Sequence, residues 1–161
     1  MRILKIAAIV TALFALAAVG TAQSKPDFSG SWKLDTTKSD FGPIPAPSNS
    51  TMKVDHQEPK VNAASHAETD QGNQDIDLKF ATDGTETKNQ LNGPMGSAEI
   101  KSTGRWDGSA IQLVSKISSD MGELTITDKW SLSDDGKVLT IDRVWTSPQG
   151  EATQKLVHKK Q

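Results

Sequence analysis

The chain has 161 residues, no cysteine and no tyrosine, and its 18 basic and 20 acidic residues give a formal net charge of −2. Such a balance argues against a nucleic-acid surface, and the absence of cysteine excludes disulfides and thiolate metal sites. The length suits one domain with a real core, held by packing and strand pairing alone.

Residues Met1–Ala22 read as a secretory leader. Arg2 and Lys5 form its basic start, Ile6 to Val19 its apolar run, and Gly20-Thr21-Ala22 a small-residue cleavage site. The apolar run has fourteen residues, short of the ~20 that cross a bilayer, which favours cleavage over a membrane anchor. Cleavage after Ala22 leaves one domain, 23–161, with sixteen basic residues against twenty acidic ones. The expected destination is periplasmic or secreted.

Beyond the leader, apolar residues repeat with period two and no segment shows a helical stripe. Phe28, Gly30, Trp32 and Leu34 share one face of a first strand. A loop over Asp35–Ser50 follows, with Phe41, Ile44 and prolines at 43, 45 and 47, which favour an extended path outside any sheet ladder. Nine further strands are expected near 51–57, 60–68, 74–82, 85–91, 97–106, 109–118, 123–132, 137–146 and 151–160. Gly108, Gly122, Gly136 and Gly150 recur every fourteen residues, which leaves roughly ten strand residues and a tight turn per period. The predicted fold is all-β, an antiparallel up-and-down meander barrel of about eight to ten strands.

The turns set expected registers. Asp83-Gly84 and Asp107-Gly108 suit two-residue hairpins. The second would pair Trp106 with Ser109 and Gly104 with Ile111. A four-residue loop over Ser133–Gly136 would set Trp130 opposite Leu139 and Ile126 opposite Arg143, placing Asp128 opposite Ile141 and diagonal to Arg143.

One face of successive strands is polar, as in Asp75, Asp77, Lys79 and in Glu99, Lys101, Thr103, Arg105. That face cannot meet lipid, so the arrangement is the inverse of an outer-membrane barrel. The apolar set turns inward: Trp32, Ile76, Leu78, Phe80, Ile100, Trp106, Leu113, Leu124, Ile126, Trp130, Leu139, Ile141 and Trp145.

Phe28-Ser29-Gly30-Ser31-Trp32-Lys33-Leu34 resembles the opening strand of the calycins, the lipocalins and fatty-acid-binding proteins, with their G-x-W motif. The ending Lys155-Leu156-Val157-His158-Lys159-Lys160 is similar to the last strand of the fatty-acid-binding group. The resemblance implies a calycin-like barrel in which Gly30 and Trp32 close one end. It does not transfer the family's arginine and tyrosine clamp for a ligand carboxylate, since Leu156 and His158 stand at those places. Nor is there a helical lid segment, the proline-rich loop taking its position.

The hairpins sort the loops into two ends. Turns at Gln57–Pro59, Asp83-Gly84, Asp107-Gly108 and Ser133–Gly136 share a tight polar end. The other end gathers the proline-rich loop and the turns near 70–73, 92–96, 119–122 and 147–150, with Phe41, Ile44, Met95 and Met121 as its apolar residues. Methionine adapts to varied apolar shapes, so this end reads as a mouth, or alternatively as a plug. Inside, Thr87, Asn89, Ser102, Ser115, Asp128 and Arg143 interrupt the apolar face. Asp128 and Arg143 form an internal ion pair or meet a polar ligand group.

Three scattered histidines give no metal-site spacing, and no nucleophile elbow or phosphate loop is present. The expected function is non-catalytic binding of a small apolar or amphipathic molecule, without cofactor or metal. The candidate ligand-binding residues are Phe41, Ile44, Asn89, Met95, Met121, Asp128, Trp130 and Arg143. A filled structural or interaction barrel is the alternative, and a lipid-acting isomerase or cyclase the third reading.

Overall fold

The period-two alternation resolves into ten strands and no helix among the residues described. These are β1 (Gly30–Leu34), β2 (Asn49–Gln57), β3 (Lys60–Thr69), β4 (Gly72–Ala81) and β5 (Asp83–Gly93), followed by β6 (Gly96–Asp107), β7 (Ala110–Ser119), β8 (Gly122–Leu132), β9 (Val138–Ser147) and β10 (Gly150–Lys160). The computed structural model describes residues 25–93, 96–119 and 122–161. The leader expected over 1–22, and Met95 and Met121, lie outside them.

All ten strands form one antiparallel sheet in the order β4-β3-β2-β1-β10-β9-β8-β7-β6-β5. Every hairpin pairs neighbours in sequence, and β1 against β10 joins the two ends of the meander. The two edge strands, β4 and β5, share no backbone ladder among the described residues. Side chains fasten them instead. Asn89 accepts from the Lys79 N–H and donates to the Lys79 carbonyl, both at 2.8 Å, as a strand residue would. Thr87 Oγ1 donates to the same carbonyl at 2.8 Å. An otherwise unpaired edge is thereby closed into a barrel.

Asp83-Gly84 forms no two-residue hairpin: both residues lie within β5, which is irregular there, and β4 and β5 share no ladder. Two further hairpin registers differ from the sequence expectation, each by one turn position. Gly108 and Ser109, not Asp107 and Gly108, form the turn, so Trp106 pairs with Ile111 and Gly104 with Leu113. Gly108, at φ 63°, takes the first turn position, where a type II′ hairpin requires glycine. The next loop is Asp134–Lys137, closed by Ser133 N–H donating to the Val138 carbonyl at 2.9 Å. Trp130 therefore pairs with Ile141, Ile126 with Trp145, and Asp128 directly with Arg143. Moving a loop by one position shifts the pairing by two residues, so no side chain changes face.

Burial along the inward faces is graded. Near the tight end Trp32, Ile111 and Leu139 are 0% exposed. They belong to one cluster with Phe28, Met52, Val54, Val61, Ala63, Phe80, Leu113, Trp130 and Ile141. The segment before β1 completes the plug: Phe28 lies 5.9 to 6.3 Å from the rings of His56, Trp106 and Trp130, and its carbonyl accepts from Trp32 Nε1 at 3.1 Å. Trp32 thus closes the tight end, as the G-x-W resemblance implied. Glu58 ties the nearby turns together, accepting from His56 Nε2, Trp106 Nε1 and Thr82 Oγ1. Burial alone would raise its pKa, but those hydrogen bonds hold it below the usual carboxylate value. Toward the other end the inward residues Leu78, Ile117, Leu124, Ile126 and Trp145 are only half-buried. Ile76, expected inside, is 36% exposed because its edge strand has no partner there.

One close approach makes this packing testable. A Cβ added to Gly104 would sit 2.6 Å from the Ala81 carbonyl oxygen and 2.9 Å from the Phe80 ring. Backbone cannot yield as a flexible side chain does, so Gly104→Ala is expected to destabilise the protein by about 1–3 kcal/mol, read as a lower urea midpoint at unchanged slope. An unchanged midpoint would show that β6 does not press on the end of β4.

Candidate functional site

Between the packed plug and the half-open end lies a tier of inward polar side chains. β8 supplies Asp128, β9 Arg143, and β10 Gln154 and His158, because alternation along each strand turns these positions inward with their apolar neighbours. The direct register of Asp128 and Arg143 brings their side chains together. Arg143 Nε donates to Asp128 Oδ1 at 2.7 Å and Nη2 donates to Oδ2 at 2.8 Å, a bidentate pair. Asp128 is almost wholly buried, whereas a quarter of the Arg143 side chain, 25%, remains exposed. Arg143 is therefore the more accessible member of the pair. Burial opposes the guanidinium charge, but attraction and hydrogen bonds from Asp128 outweigh it and raise the Arg143 pKa.

A chain of contacts runs from this pair to the proline-rich loop. The Arg143 guanidinium lies 5.5 Å from the Trp145 ring centroid. Trp145 Nε1 donates to Gln154 Oε1 at 2.8 Å, and Gln154 Nε2 donates to the Phe41 carbonyl at 3.2 Å. The loop is also strapped along β10, where Asp40 and Lys155 exchange backbone hydrogen bonds of 2.8 Å. Phe41 is half-buried by this docking, while Ile44 is 37% exposed.

Beneath the pair, two buried polar atoms have no partner: Trp130 Nε1 and His158 Nδ1. Burial, and then the nearby Arg143 charge, push the His158 pKa down to about 4. His158 is therefore neutral at pH 7.

Asp128, Arg143 and Trp130 thus come together in one tier, and Phe41 connects to it through Gln154. Asn89 belongs elsewhere: both polar atoms of its amide are committed to Lys79, so it fastens the barrel rather than facing a ligand. Thr87, Ser102 and Ser115 are likewise satisfied internally, Ser102 and Ser115 by a mutual hydroxyl contact of 2.9 Å. Gln154 and His158 were missed as candidates; the alternation Gln154, Leu156, His158 was the available signal. Two hollows of about 480 and 420 Å³ indent the outer face, and neither reaches Asp128, Arg143 or His158. The first is lined by outward residues such as Thr51, Lys53, His66 and Asp75 together with Trp32, Met52, Ser65 and Ile76 from the inward face, near the open edge of β4.

The buried histidine predicts a pH dependence with a definite sign. Its folded pKa, about 4, lies below the ordinary 6.5, so folding favours the neutral ring. That stabilisation is fully present above pH 6.5 and is lost as the pH falls toward 4. The loss amounts to about 3 kcal/mol at the limit. Urea midpoints of wild type and His158→Gln across this window are expected to diverge, with wild type falling more steeply. Parallel curves would contradict a buried neutral His158.

No family model matches the chain, and no curated protein matches its sequence. Its fold matches a crystal structure of zebrafish ileal bile acid-binding protein complexed with cholic acid, at a TM-score of 0.55 and 15% identity. The match covers 83% of this chain and 98% of that one. At this identity the likeness is one of fold, and the fold is a ten-stranded, nearly closed antiparallel barrel of the calycin type.

Proposed function

We propose that this protein is an exported, non-catalytic carrier of a small, largely apolar molecule held inside the barrel. The observation that carries the reading is the partial exposure of Arg143, a residue on the inward face, next to a plug whose members are almost fully buried. A barrel filled for purely structural reasons would pack Ile117, Leu124, Ile126 and Trp145 as tightly as Ile111 and Leu139. Instead they line space with half-buried apolar surface, the character of a ligand site. The loops at this end form the mouth, with the Phe41 segment at its rim. The bile acid in the structural neighbour's complex supports the same use of the fold. Export rests on the leader pattern of residues 1–22.

Native mass spectrometry of protein recovered from the envelope of its own cells tests both parts. The expected species starts at Gln23 and carries a non-covalent adduct of small-molecule mass. Ile126→Trp fills the half-open region and should reduce adduct occupancy, or affinity for an apolar fluorophore, at least ~10-fold while the melting temperature stays within a few degrees. Equal occupancy in the variant would place any ligand outside the barrel, and an uncleaved chain would remove the export assignment.

A further inference from the structure

Resting on the carrier reading, we infer that the ligand is uncharged and presents a hydrogen-bond-accepting oxygen, as in an alcohol or ketone, to Arg143 and Trp130 at the floor of the cavity. The charge balance of the floor comes first. Asp128 and Arg143 satisfy each other through two short hydrogen bonds, so the pair is formally neutral. No other charged side chain faces the interior between this pair and the open end among the described residues. Lys160 and His56 also point inward, but at the opposite end, where Lys160 Nζ sits 5.3 Å from the Trp32 ring and His56 packs on Phe28. A carboxylate entering this space would bring an unneutralised charge into apolar surroundings, or would have to take Arg143 from Asp128 and strand a buried aspartate.

The second part is the donor set. Arg143 uses Nε and Nη2 on Asp128, and Nη1 has no partner among the described residues. Trp130, two residues from Asp128 on the same face, carries a buried N–H without an acceptor. Indole nitrogen can only donate, and so can guanidinium. A buried donor left unpaired is costly, and an oxygen reaching the floor relieves that cost. His158 Nδ1, also unpartnered, can receive the proton of an alcohol or donate to a ketone according to its tautomer. Arg143, Trp130 and His158 thus supply donors from neighbouring inward positions of β8, β9 and β10 without net positive charge, which selects an acceptor without net negative charge.

Matched ligands decide this. Dodecan-1-ol and dodecanoate share an apolar chain and differ at the head; their affinities are measured at pH 7 by displacement of an apolar fluorophore from the full mature protein. Wild type is expected to bind the alcohol at least ~10-fold more tightly. Because any apolar cavity disfavours a carboxylate to some degree, Asp128→Asn supplies the decisive comparison. It frees the Arg143 charge, and the alcohol-to-acid ratio should fall at least ~10-fold. Trp130→Phe, which keeps ring packing, should weaken the alcohol several-fold and leave the fluorophore unaffected. That variant keeps the proposal testable if Asp128→Asn folds poorly. Tighter binding of dodecanoate by wild type, or an alcohol affinity indifferent to Trp130→Phe, overturns the inference and leaves the carrier reading standing. Failure of the fluorophore and both ligands to bind overturns both.

Discussion

A charged pair inside an apolar barrel is the constraint around which this molecule is arranged. Neither Asp128 nor Arg143 is tolerable alone on an inward face, since an unpartnered buried ion costs several kcal/mol. Their bidentate contact requires β8 and β9 to pair in one register, with Asp128 directly across from Arg143. That register is delivered by the loop Asp134–Lys137, where Ser133 closes the hairpin and its side chain contacts Asp135. A two-residue slip would leave the apolar pattern intact but move the charges from directly opposed to diagonal positions, so the direct bidentate contact favours one of two registers that hydrophobicity cannot distinguish.

The pair also marks a change in the character of the interior. On one side, aromatic and aliphatic side chains from all around the sheet interdigitate with Phe28 and Trp32, and the turns are cross-tied by Glu58. On the other, the same alternation continues, but Ile117, Leu124, Ile126 and Trp145 are half-buried while Ile100, Ser102 and Ser115 stay buried, and a proline-rich loop runs along β10. The largest cluster of buried apolar side chains is thus concentrated in one half of the barrel. The missing ladder between β4 and β5 fits this division. Asn89 and Thr87 bind the seam at Lys79, and beyond that point Ile76 lies open.

Much of this was legible in the sequence. Ten strands, the inward set apart from Ile76 and all consecutive pairings except β4 with β5 follow from alternation and turn residues, because period two and glycine placement are local signals. Register was less accessible: Asp107-Gly108-Ser109 offers two adjacent two-residue turns, and the choice between them depends on cross-strand contacts such as Lys129 with Asp107 at 2.8 Å. Asn89 shows a second limit. Its polarity on an inward face suggested a ligand, but its use was decided by an unpaired edge that no local pattern announces. His158 and Gln154 were hidden for a related reason, since a neutral polar residue at an inward position acquires meaning only from the charge beside it. The resemblance to calycins pointed to the correct barrel, while the departure at Leu156 and His158 was the earliest sign that its interior chemistry is different.

The carrier function requires an interior closed around Phe28 and Trp32 and open from the tier of Trp130, Asp128 and Arg143 outward. Titrating protein labelled with ¹⁵N at the indole nitrogens with an apolar ligand reads this directly, because the four tryptophans sample both halves. The indole signals of Trp145 and Trp130 should move saturably, while that of Trp32, bonded to the Phe28 carbonyl within the plug, should stay in place. A shift confined to Trp32, or ligand binding that leaves Trp130 and Trp145 untouched, would contradict it.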